Sequence, residues 1–333
     1  MALATSYNVS GDREALTNFL TILEPEDCPK TSSFAKTTKV TNTFQTWQAD
    51  TLANVDFAGV LEGQDVNAFN NEAANRARFG NYIQKFWRPW MVSDLQEASD
   101  PAGTDGEVAN SKVKAMRELK RSIEAAIGSD NDMQADTGLL PYKTRGLGKW
   151  IQNGAQTDLP VNASYRTPTG SLNATATASL TENNIQDMLQ SIYAQTGKVS
   201  TYSLVCGPTL KRQFTAFTRT QFASTNVASA IRVLNQKDEN KIVSTVDIFE
   251  GDFGTLELIP SLFLAADATV NAAAVQNGRG YVLDMDMVEL RYNRKPRFQE
   301  LEDRGGGPRG IVDAICALCV KSPLALGKFA PTA

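Results

Sequence analysis

The sequence predicts a mixed α+β fold, and three observations lead to this class. An apolar stripe repeats every three or four residues in KVKAMRELKRSIEAAI at 112–127, as in an amphipathic helix. Residues 242–264 resemble two strands joined by a GDFG turn. Strands occur in such pairs and do not alternate with helices as repeated βαβ units, which favours α+β over a parallel α/β sheet.

The chain begins with a short helical pattern at 15–23 that follows a turn at 10–12. Pro25 and Pro29 are expected to end this helix. We therefore expect a loose N-terminal segment up to residue 39, with little structure of its own.

Two β-branched and aromatic segments at 36–53 and 76–93 predict the strands of a long hairpin with a polar tip. An isolated two-stranded ribbon is marginal in water, so this hairpin must lean on another surface. Exposed aromatic residues, interleaved with basic ones, would provide the contact. The candidate contact residues here are Trp47, Arg76, Arg78, Tyr82, Trp87 and Trp90.

The long helix is predicted to begin after a capping box at 104–107 and to end at Gly128. It would have about 23 residues and a length of roughly 35 Å. Its apolar stripe contains Val113, Met116, Leu119, Ile123 and Ile127. Its basic side contains Lys112, Lys114, Arg117, Lys120 and Arg121, with Glu118 and Glu124 among them. This side faces solvent, a neighbouring subunit or a polyanion, and Lys120 and Arg121 are further candidate contact residues.

A second unit begins at Leu180. Thr181 is predicted to cap a helix that ends at Gly197. The buried face of that helix is predicted to contain Ile185, Met188, Leu189 and Ile192. A strand at 199–207, a helix opened by Pro208 and the hairpin described above then follow. Further strands are predicted at 280–293 and 310–320, on either side of the glycine-rich EDRGGGPRG.

The composition excludes several classes of function. The 333 residues have a net charge of −4 and a pI near 5.2, which argues against tight, charge-driven coating of nucleic acid. Histidine is absent, which excludes Ser-His-Asp and Cys-His nucleophiles and most zinc or iron centres. We see no signal peptide and no apolar run of membrane-spanning length, and expect a cytosolic protein without membrane contact.

Three local patterns resemble chemical sites, and each has a simpler explanation. Asp284 and Asp286 lie two apart on a predicted strand and could share a divalent metal. A strand with one face in solvent also places a polar residue at every second position, which gives the same pattern without a metal. The glycines at 305–307, with Arg309, could wrap an anion in backbone amides or form a turn. GLGKW at 146–150 fails the spacing of a phosphate loop.

Cys316 and Cys319 form a C-x-x-C within a predicted strand. Residues three apart on a strand point to opposite faces, and no second cysteine pair or histidine completes a zinc site. We therefore expect buried free thiols.

Seven short stretches carry a resemblance to a known family. They are WQADTLA at 47–53, LEGQD at 61–65, RARFGNYIQ at 76–84, RELKRSIEAAI at 117–127, TRGLGKWI at 144–151, GDFGTLELIP at 251–260 and YVLDMDMVELRY at 281–292. Their order, together with the order of the predicted elements, resembles the Hong Kong-type fold of tailed-phage major capsid proteins. The chain departs from that pattern at 305–319, where a more polar segment is expected.

The resemblance implies an N-terminal arm at 1–39 and an extended β-hairpin loop at 40–98. It implies a peripheral domain with the spine helix at 99–179 and 281–333, and an axial domain at 180–280. No catalytic residue, cofactor or metal is implied.

The function implied by the resemblance is structural rather than enzymatic. The chain would assemble with itself into hexamers and pentamers of an icosahedral virion shell, made in the bacterial cytoplasm, around double-stranded DNA that it contacts without sequence specificity. Portal, scaffolding or decoration proteins would be further partners. The arm and the extended loop would lie over neighbouring subunits through heterologous contacts and bury their aromatic residues there.

Two other classes of function stay open at this point. One is an α/β enzyme that uses 180–280 as its substrate lobe and holds a metal at Asp284 and Asp286. The other is a different ring-forming virion component, such as a tail or neck protein.

Overall fold

The computed structural model describes residues 27–34, 39–53, 55–67, 69, 71, 76–99, 106–154, 163–217, 246–264 and 278–330. The predicted helix at 15–23 and the first half of the predicted capping box at 104–107 lie outside these residues. The chain forms two compact units. Among the described residues, the smaller unit takes 87–119 and 296–313, and the larger unit takes the rest.

The three longer helices of the described residues follow the amphipathic patterns of the sequence. The helices in order are α1 Pro29–Ser33, α2 Asp94–Ala98, α3 Glu107–Gly128, α4 Leu147–Trp150, α5 Glu182–Thr196 and α6 Pro208–Phe217. The helix α3 has 22 residues and confirms the predicted long helix. At its start, the Val108 amide donates to the Glu97 carboxylate of α2 at 3.1 Å, which satisfies one free amide of the first turn. No helix in the described part is both long and apolar enough to cross a membrane.

The strands of the described residues form three sheets. They are β1 Phe44–Ala49, β2 Ala77–Tyr82, β3 Gln84–Met91, β4 Leu172–Asn173, β5 Ser200–Cys206, β6 Ile248–Gly251, β7 Gly254–Pro260, β8 Gly280–Leu283, β9 Val288–Leu301, β10 Arg309–Val320 and β11 Gly327–Phe329. One sheet pairs β1 with β2, one has the order β3-β10-β9, and one has the order β4-β11-β8-β5-β7-β6. In the third sheet β5 pairs with β7 and β4 with β11 in parallel, whereas β8 pairs with β11 and with β5, and β6 with β7, in antiparallel. Helices together with this mixed sheet confirm the α+β class.

The helix α5 has the start, the end and the buried face that the sequence predicts. Thr181 and Asn184 form a capping box, in which the Thr181 amide donates to Asn184 Oδ1 at 3.0 Å. Gly197 ends the helix with φ of 63°, a left-handed conformation that glycine adopts without strain. The four predicted core residues are all buried, and they pack with β5, β7 and β8 into one apolar cluster.

Two predicted strands are each divided in the structure. Residues 280–293 were predicted as one strand, but a turn at 284–287 separates β8 from β9, and the two strands belong to different sheets. Residues 76–93 divide at Ile83, so that β2 pairs with β1 while β3 joins β10. Alternation of side chains cannot reveal such a break, because each half keeps the period of a strand.

Candidate assembly surface

The segment between β1 and β2, residues 50–76, is the β1–β2 loop. Its described part has no regular secondary structure, and seven large hydrophobic side chains in it are 70–96% exposed. These residues are Leu52, Val55, Phe57, Val60, Leu61, Val66 and Phe69. The prediction of a polar tip is therefore wrong. The available signal was apolar content in a segment without any period, and exposed apolar patches of this kind mark contact surfaces.

The β1–β2 hairpin that carries this loop is anchored by Asn81 of β2, which is fully buried and lies at the end of the hairpin opposite the loop. Its Nδ2 donates to Leu318 O at 2.7 Å and to Thr144 Oγ1 at 2.9 Å. Its Oδ1 accepts from the Arg145 amide at 2.8 Å. Buried polar groups with all partners present fix one geometry, so this asparagine fixes the end of the hairpin opposite the loop against Thr144, Arg145 and Leu318.

Trp47 and Tyr82 lie at the base of the hairpin and already have partners within the chain. Trp47 Nε1 donates to Val320 O at 3.0 Å, and its ring centre lies 5.6 Å from that of Trp150. Tyr82 stacks on Tyr142 with ring centres 5.5 Å apart. Both predicted contact residues are half-buried, so each keeps only part of its surface for a neighbour.

Arg76 and Arg78 sit at the other end of the hairpin, where β2 begins. Both are exposed, and Arg76 Nε lies 3.2 Å from Asp50 Oδ2 across the loop base. An ion pair in solvent contributes about 1 kcal/mol or less, so these arginines are available to an outside partner at little cost.

The two tryptophans of β3 lie in different environments. Trp87 is 60% exposed, whereas Trp90 is 7% exposed. The Trp90 ring has Lys112 Nζ 5.0 Å from its centre and fills the space beside Gly310. We expected both side chains to be exposed and to contact another surface. This is wrong for Trp90, which has little accessible surface for a neighbour.

The basic face of α3 is exposed in the middle of the helix, at residues 113–120. Lys114, Arg117 and Lys120 are exposed there, and so is Val113 at 48%. Val113 was predicted to be in the apolar stripe, but 100° per residue places it between Arg117 and Lys120. Arg121 is half-buried and lies 5.9 Å from the Phe263 ring.

One turn later, the same face of α3 is covered and Glu124 is fully buried. Its carboxylate lies 3.0 Å from Lys30 Nζ and accepts the Lys30 and Thr31 amides at 3.0 and 2.7 Å. Burial lowers the pKa of Lys30, which Glu124 opposes. Glu124 was predicted to lie among the basic residues on the outer side of the helix. This is wrong because residues 28–31, distant in sequence, pack over that turn.

The predicted chemical sites have structural roles. Asp284 Oδ1 accepts the Asp286 amide at 3.0 Å in a turn, so the two carboxylates do not share a strand face. Asp303 Oδ1 accepts the amides of residues 305–307 at 2.9–3.3 Å, so these glycines do wrap an anion, which is a carboxylate of their own turn. In the described residues, no three acidic or cysteine side chains are grouped as metal ligands.

The cysteines of the described residues are buried free thiols, as predicted for Cys316 and Cys319. Burial raises the pKa of each of these two thiols to about 12. A thiol with so high a pKa is a poor nucleophile at neutral pH, so neither cysteine offers reactive chemistry.

The fold and the exposed loop together define a class of protein. Solved structures with a similar fold include the capsid of cyanophage A-1(L), with 10% identity, a TM-score of 0.65 and 98% of each chain covered. They also include the capsid of phage XM1, with 12% identity, 0.56 and 99% of each chain, and the capsid of a native GTA particle, with 12% identity, 0.58 and all of each chain. The chain therefore has the Hong Kong-type fold of phage capsid subunits.

Sequence comparison identifies the family within this class. The model of the family described as SU10 major capsid protein matches residues 3–333, and the chain belongs to that family. It is also 29% identical over 139 residues to the major capsid protein of Escherichia phage Phieco32, a match that spans 41% of this chain and 38% of that relative. The chain is thus a structural capsid protein of a virion and not an enzyme.

Proposed function

We propose that copies of this chain form hexamers and pentamers that close an icosahedral shell around double-stranded DNA. The observation that carries this proposal is the β1–β2 loop, whose described part has seven large hydrophobic side chains that are 70–96% exposed. Burial of one such side chain stabilises by roughly 1.5–3 kcal/mol. Contact with neighbouring copies supplies that burial many times over in a shell.

The proposed division of the chain follows from the resemblance. The arm is 1–39, the extended loop is 40–98, the peripheral domain is 99–179 with 281–333, and the axial domain is 180–280. The helical and strand elements of 182–260 form one apolar core, which supports an axial unit. The sheet of that unit also takes β4, β8 and β11 from outside 180–280, so the structural lobe extends beyond these limits.

Intersubunit contacts are proposed mainly for the predicted contact residues that keep an accessible side chain. Arg76, Arg78, Trp87 and Lys120 are exposed, and Arg121 is half-buried. Trp47, Tyr82 and Trp90 would act mainly by holding the base of the loop and β3 in place. A chain that makes rings of both six and five copies needs contacts that tolerate two curvatures, and exposed loops adapt in this way.

Further partners are proposed on general grounds. The net charge of −4 would give the inner surface of the shell little attraction for DNA phosphates. Contact with the genome would therefore be weak and without sequence specificity. Portal, scaffolding or decoration proteins would complete the particle, with assembly in the host cytoplasm.

The test is electron microscopy of the purified chain beside a variant with Leu52→Ser, Phe57→Ser and Phe69→Ser. We expect closed polyhedral shells from the wild type, and soluble subunits with an unchanged unfolding transition from the variant. Tubes or single rings from the wild type would favour a tail or neck protein instead. Shells of normal yield from the triple variant would contradict the role of the loop.

A matched pair of single substitutions tests β3 in the same assay. Trp87→Ala should lower shell yield and leave subunit stability unchanged, because the side chain is exposed. Trp90→Ala should lower subunit stability by about 3–5 kcal/mol, because it empties a buried site. Equal effects of the two substitutions on stability would contradict the difference in burial.

A further inference from the structure

The segment between α3 and α4 contains a turn with two exposed leucines. Gln134 and Lys143 pair in antiparallel, with backbone hydrogen bonds of 3.1 Å in both directions. Between them, Leu139 is 94% exposed and Leu140 is 53% exposed. We call residues 134–143 the leucine turn. Its tip places two large apolar side chains in solvent, which marks it as a contact surface.

Hydrogen bonds within the leucine turn hold its shape. Asp136 Oδ1 accepts the Gly138 amide at 2.7 Å, and the Thr137 amide donates to Leu140 O at 3.1 Å. Gly138 has φ of 81°, a left-handed conformation that glycine adopts without strain. A turn that is already ordered loses little conformational entropy when it binds, so these leucines are suited to a contact between proteins.

The leucine turn is fixed to the hairpin that carries the β1–β2 loop. Tyr142 stacks on Tyr82 of β2 with ring centres 5.5 Å apart, and Tyr82 packs on Phe44 of β1 with ring centres 4.7 Å apart. The turn therefore continues the proposed assembly surface. Asp136 is exposed beside the two leucines, so the partner of the turn should be apolar with a positive charge at its border.

A surface of that kind lies at the end of the six-stranded sheet where β5 begins. Tyr193 of α5 and Phe253 of the β6–β7 turn have ring centres 5.4 Å apart. Val199 is 62% exposed and immediately precedes β5, and the register of the parallel β5–β7 pair places it beside Phe253. We call Tyr193, Val199 and Phe253 the aromatic patch. Lys198, which is exposed, lies at its border.

We infer that the leucine turn of one copy docks on the aromatic patch of a neighbouring copy, with Leu139 against Val199. Asp136 of the turn then lies opposite Lys198. The two surfaces are different parts of the chain, so the contact is heterologous and continues from copy to copy. This inference rests on the proposed shell-forming function and names a contact that does not involve the β1–β2 loop.

A charge placed at the tip of the turn is the first test. Leu139→Asp should lower shell yield at least about tenfold, because a carboxylate would be buried against an apolar patch. Its unfolding transition should not change, since the side chain is in solvent in the single chain. The matched control is Leu95→Asp, at a leucine that is 79% exposed on α2, and should assemble within about twofold of the wild type.

A pair of neutral substitutions tests the proposed partners. Asp136→Asn keeps the oxygen that accepts the Gly138 amide and removes the charge. This variant and Lys198→Gln should each lower shell yield about threefold, and the double variant should fall no further, because the two charges act on each other. A loss of about ninefold in the double variant would show independent effects and overturn the pairing.

The outcomes separate this inference from the proposed function. Normal shells from Leu139→Asp would overturn the docking and leave the leucine turn to another virion protein, while the shell-forming function stands. Equal losses from Leu139→Asp and Leu95→Asp would overturn the docking as well, since the effect would then not be specific to the turn.

A further measurement does not require shells. The chain with Leu139→Cys and Val199→Cys should form disulfide-linked multimers under mild oxidation, with no competition from the natural cysteines of the described residues, which are buried. The matched control combines Leu139→Cys with Leu95→Cys and should give far fewer multimers on non-reducing electrophoresis. Equal yields from the two chains would overturn the inference even where the wild type fails to form shells.

Discussion

The β1–β2 loop and the lobe built from α5, α6 and β5–β8 both contain many apolar side chains, and they place them in opposite environments. Phe57 in the loop is 93% exposed, whereas Phe214 in the lobe is 1% exposed. The lobe lays two helices over a sheet and so covers its own apolar face. The loop has only the short β1–β2 pair at its base, which cannot cover it.

This difference shows where the hydrophobic effect acts in each region. In the lobe it stabilises the single chain, and in the loop it is available only for contact between chains. The same kind of substitution should therefore have its effect on folding in one region and on assembly in the other.

The largest effect expected from this comparison comes from two phenylalanines. Phe214→Ala should lower the free energy of unfolding by about 3–5 kcal/mol, because it leaves a cavity in the lobe. Phe57→Ala should change it by about 0.5 kcal/mol or less, because the side chain is already in water. Urea denaturation of unassembled subunits measures both, and similar losses at the two positions would break the comparison.

A buried charge provides the next test, because α3 is exposed at one turn and covered at another. Glu124→Gln should cost about 3 kcal/mol, since it leaves Lys30 buried without its counter-charge. Glu118→Gln, on the exposed side of the same helix, is the matched control and should cost about 0.5 kcal/mol or less. Equal stability of the two variants would show that residues 28–31 do not seal this site in solution.

Asn81 provides a third test, since it anchors the β1–β2 hairpin that carries the loop. Asn81→Ala should cost about 1–3 kcal/mol, because the Arg145 amide and the Leu318 carbonyl lose a buried partner. Shell yield should fall as well, since the hairpin that carries the loop would be held less firmly. Hydrogen exchange at the Arg145 amide reports the loss directly, and unchanged protection there would contradict it.

The smallest expected effect is on the pH dependence of the larger unit. Burial raises the pKa of Asp130, but hydrogen bonds from Arg279 and Lys328 outweigh it and hold this pKa below its ordinary value of 3.8. A carboxyl with a lowered pKa in the folded state stabilises above its unfolded pKa, and this stability is lost as pH falls through the folded value.

Unfolding measured from about pH 5 to about pH 2 should therefore show an acid-dependent loss to which Asp130 contributes. In Asp130→Asn this contribution should be missing, so stability is lower at neutral pH and its decline with acid is shallower. Parallel pH curves for the two proteins would be the opposite result.

Much of the fold follows from local sequence signals. The helix α5 starts at Thr181, ends at Gly197 and buries four residues that recur every three or four positions, all as predicted. The β6–β7 hairpin turns at GDFG with Gly251 opposite Gly254. These features depend on groups within about four residues of one another, since caps, helix periods and tight turns are short-range interactions.

The assembly surface was predictable only in part. Arg76, Arg78, Trp87 and Lys120 are exposed, as a contact role requires, while Trp90 is buried. The apolar loop itself was missed because its hydrophobic residues follow no period. Periodic patterns identify the face of a regular element, and an irregular loop has no such face.

The sequence was sufficient for the long helix, the helix α5, the β6–β7 hairpin, the buried free thiols and the family, all of which rest on local patterns or on the order of short stretches. Only the tertiary structure decided that Glu124 is buried and that residues 280–293 divide between two sheets. It also decided that Trp47 and Tyr82 have partners within their own chain. Lys30 and Glu124 are 94 positions apart. Burial is set by contacts of this range, which leave no trace in the alternation or spacing of neighbouring residues.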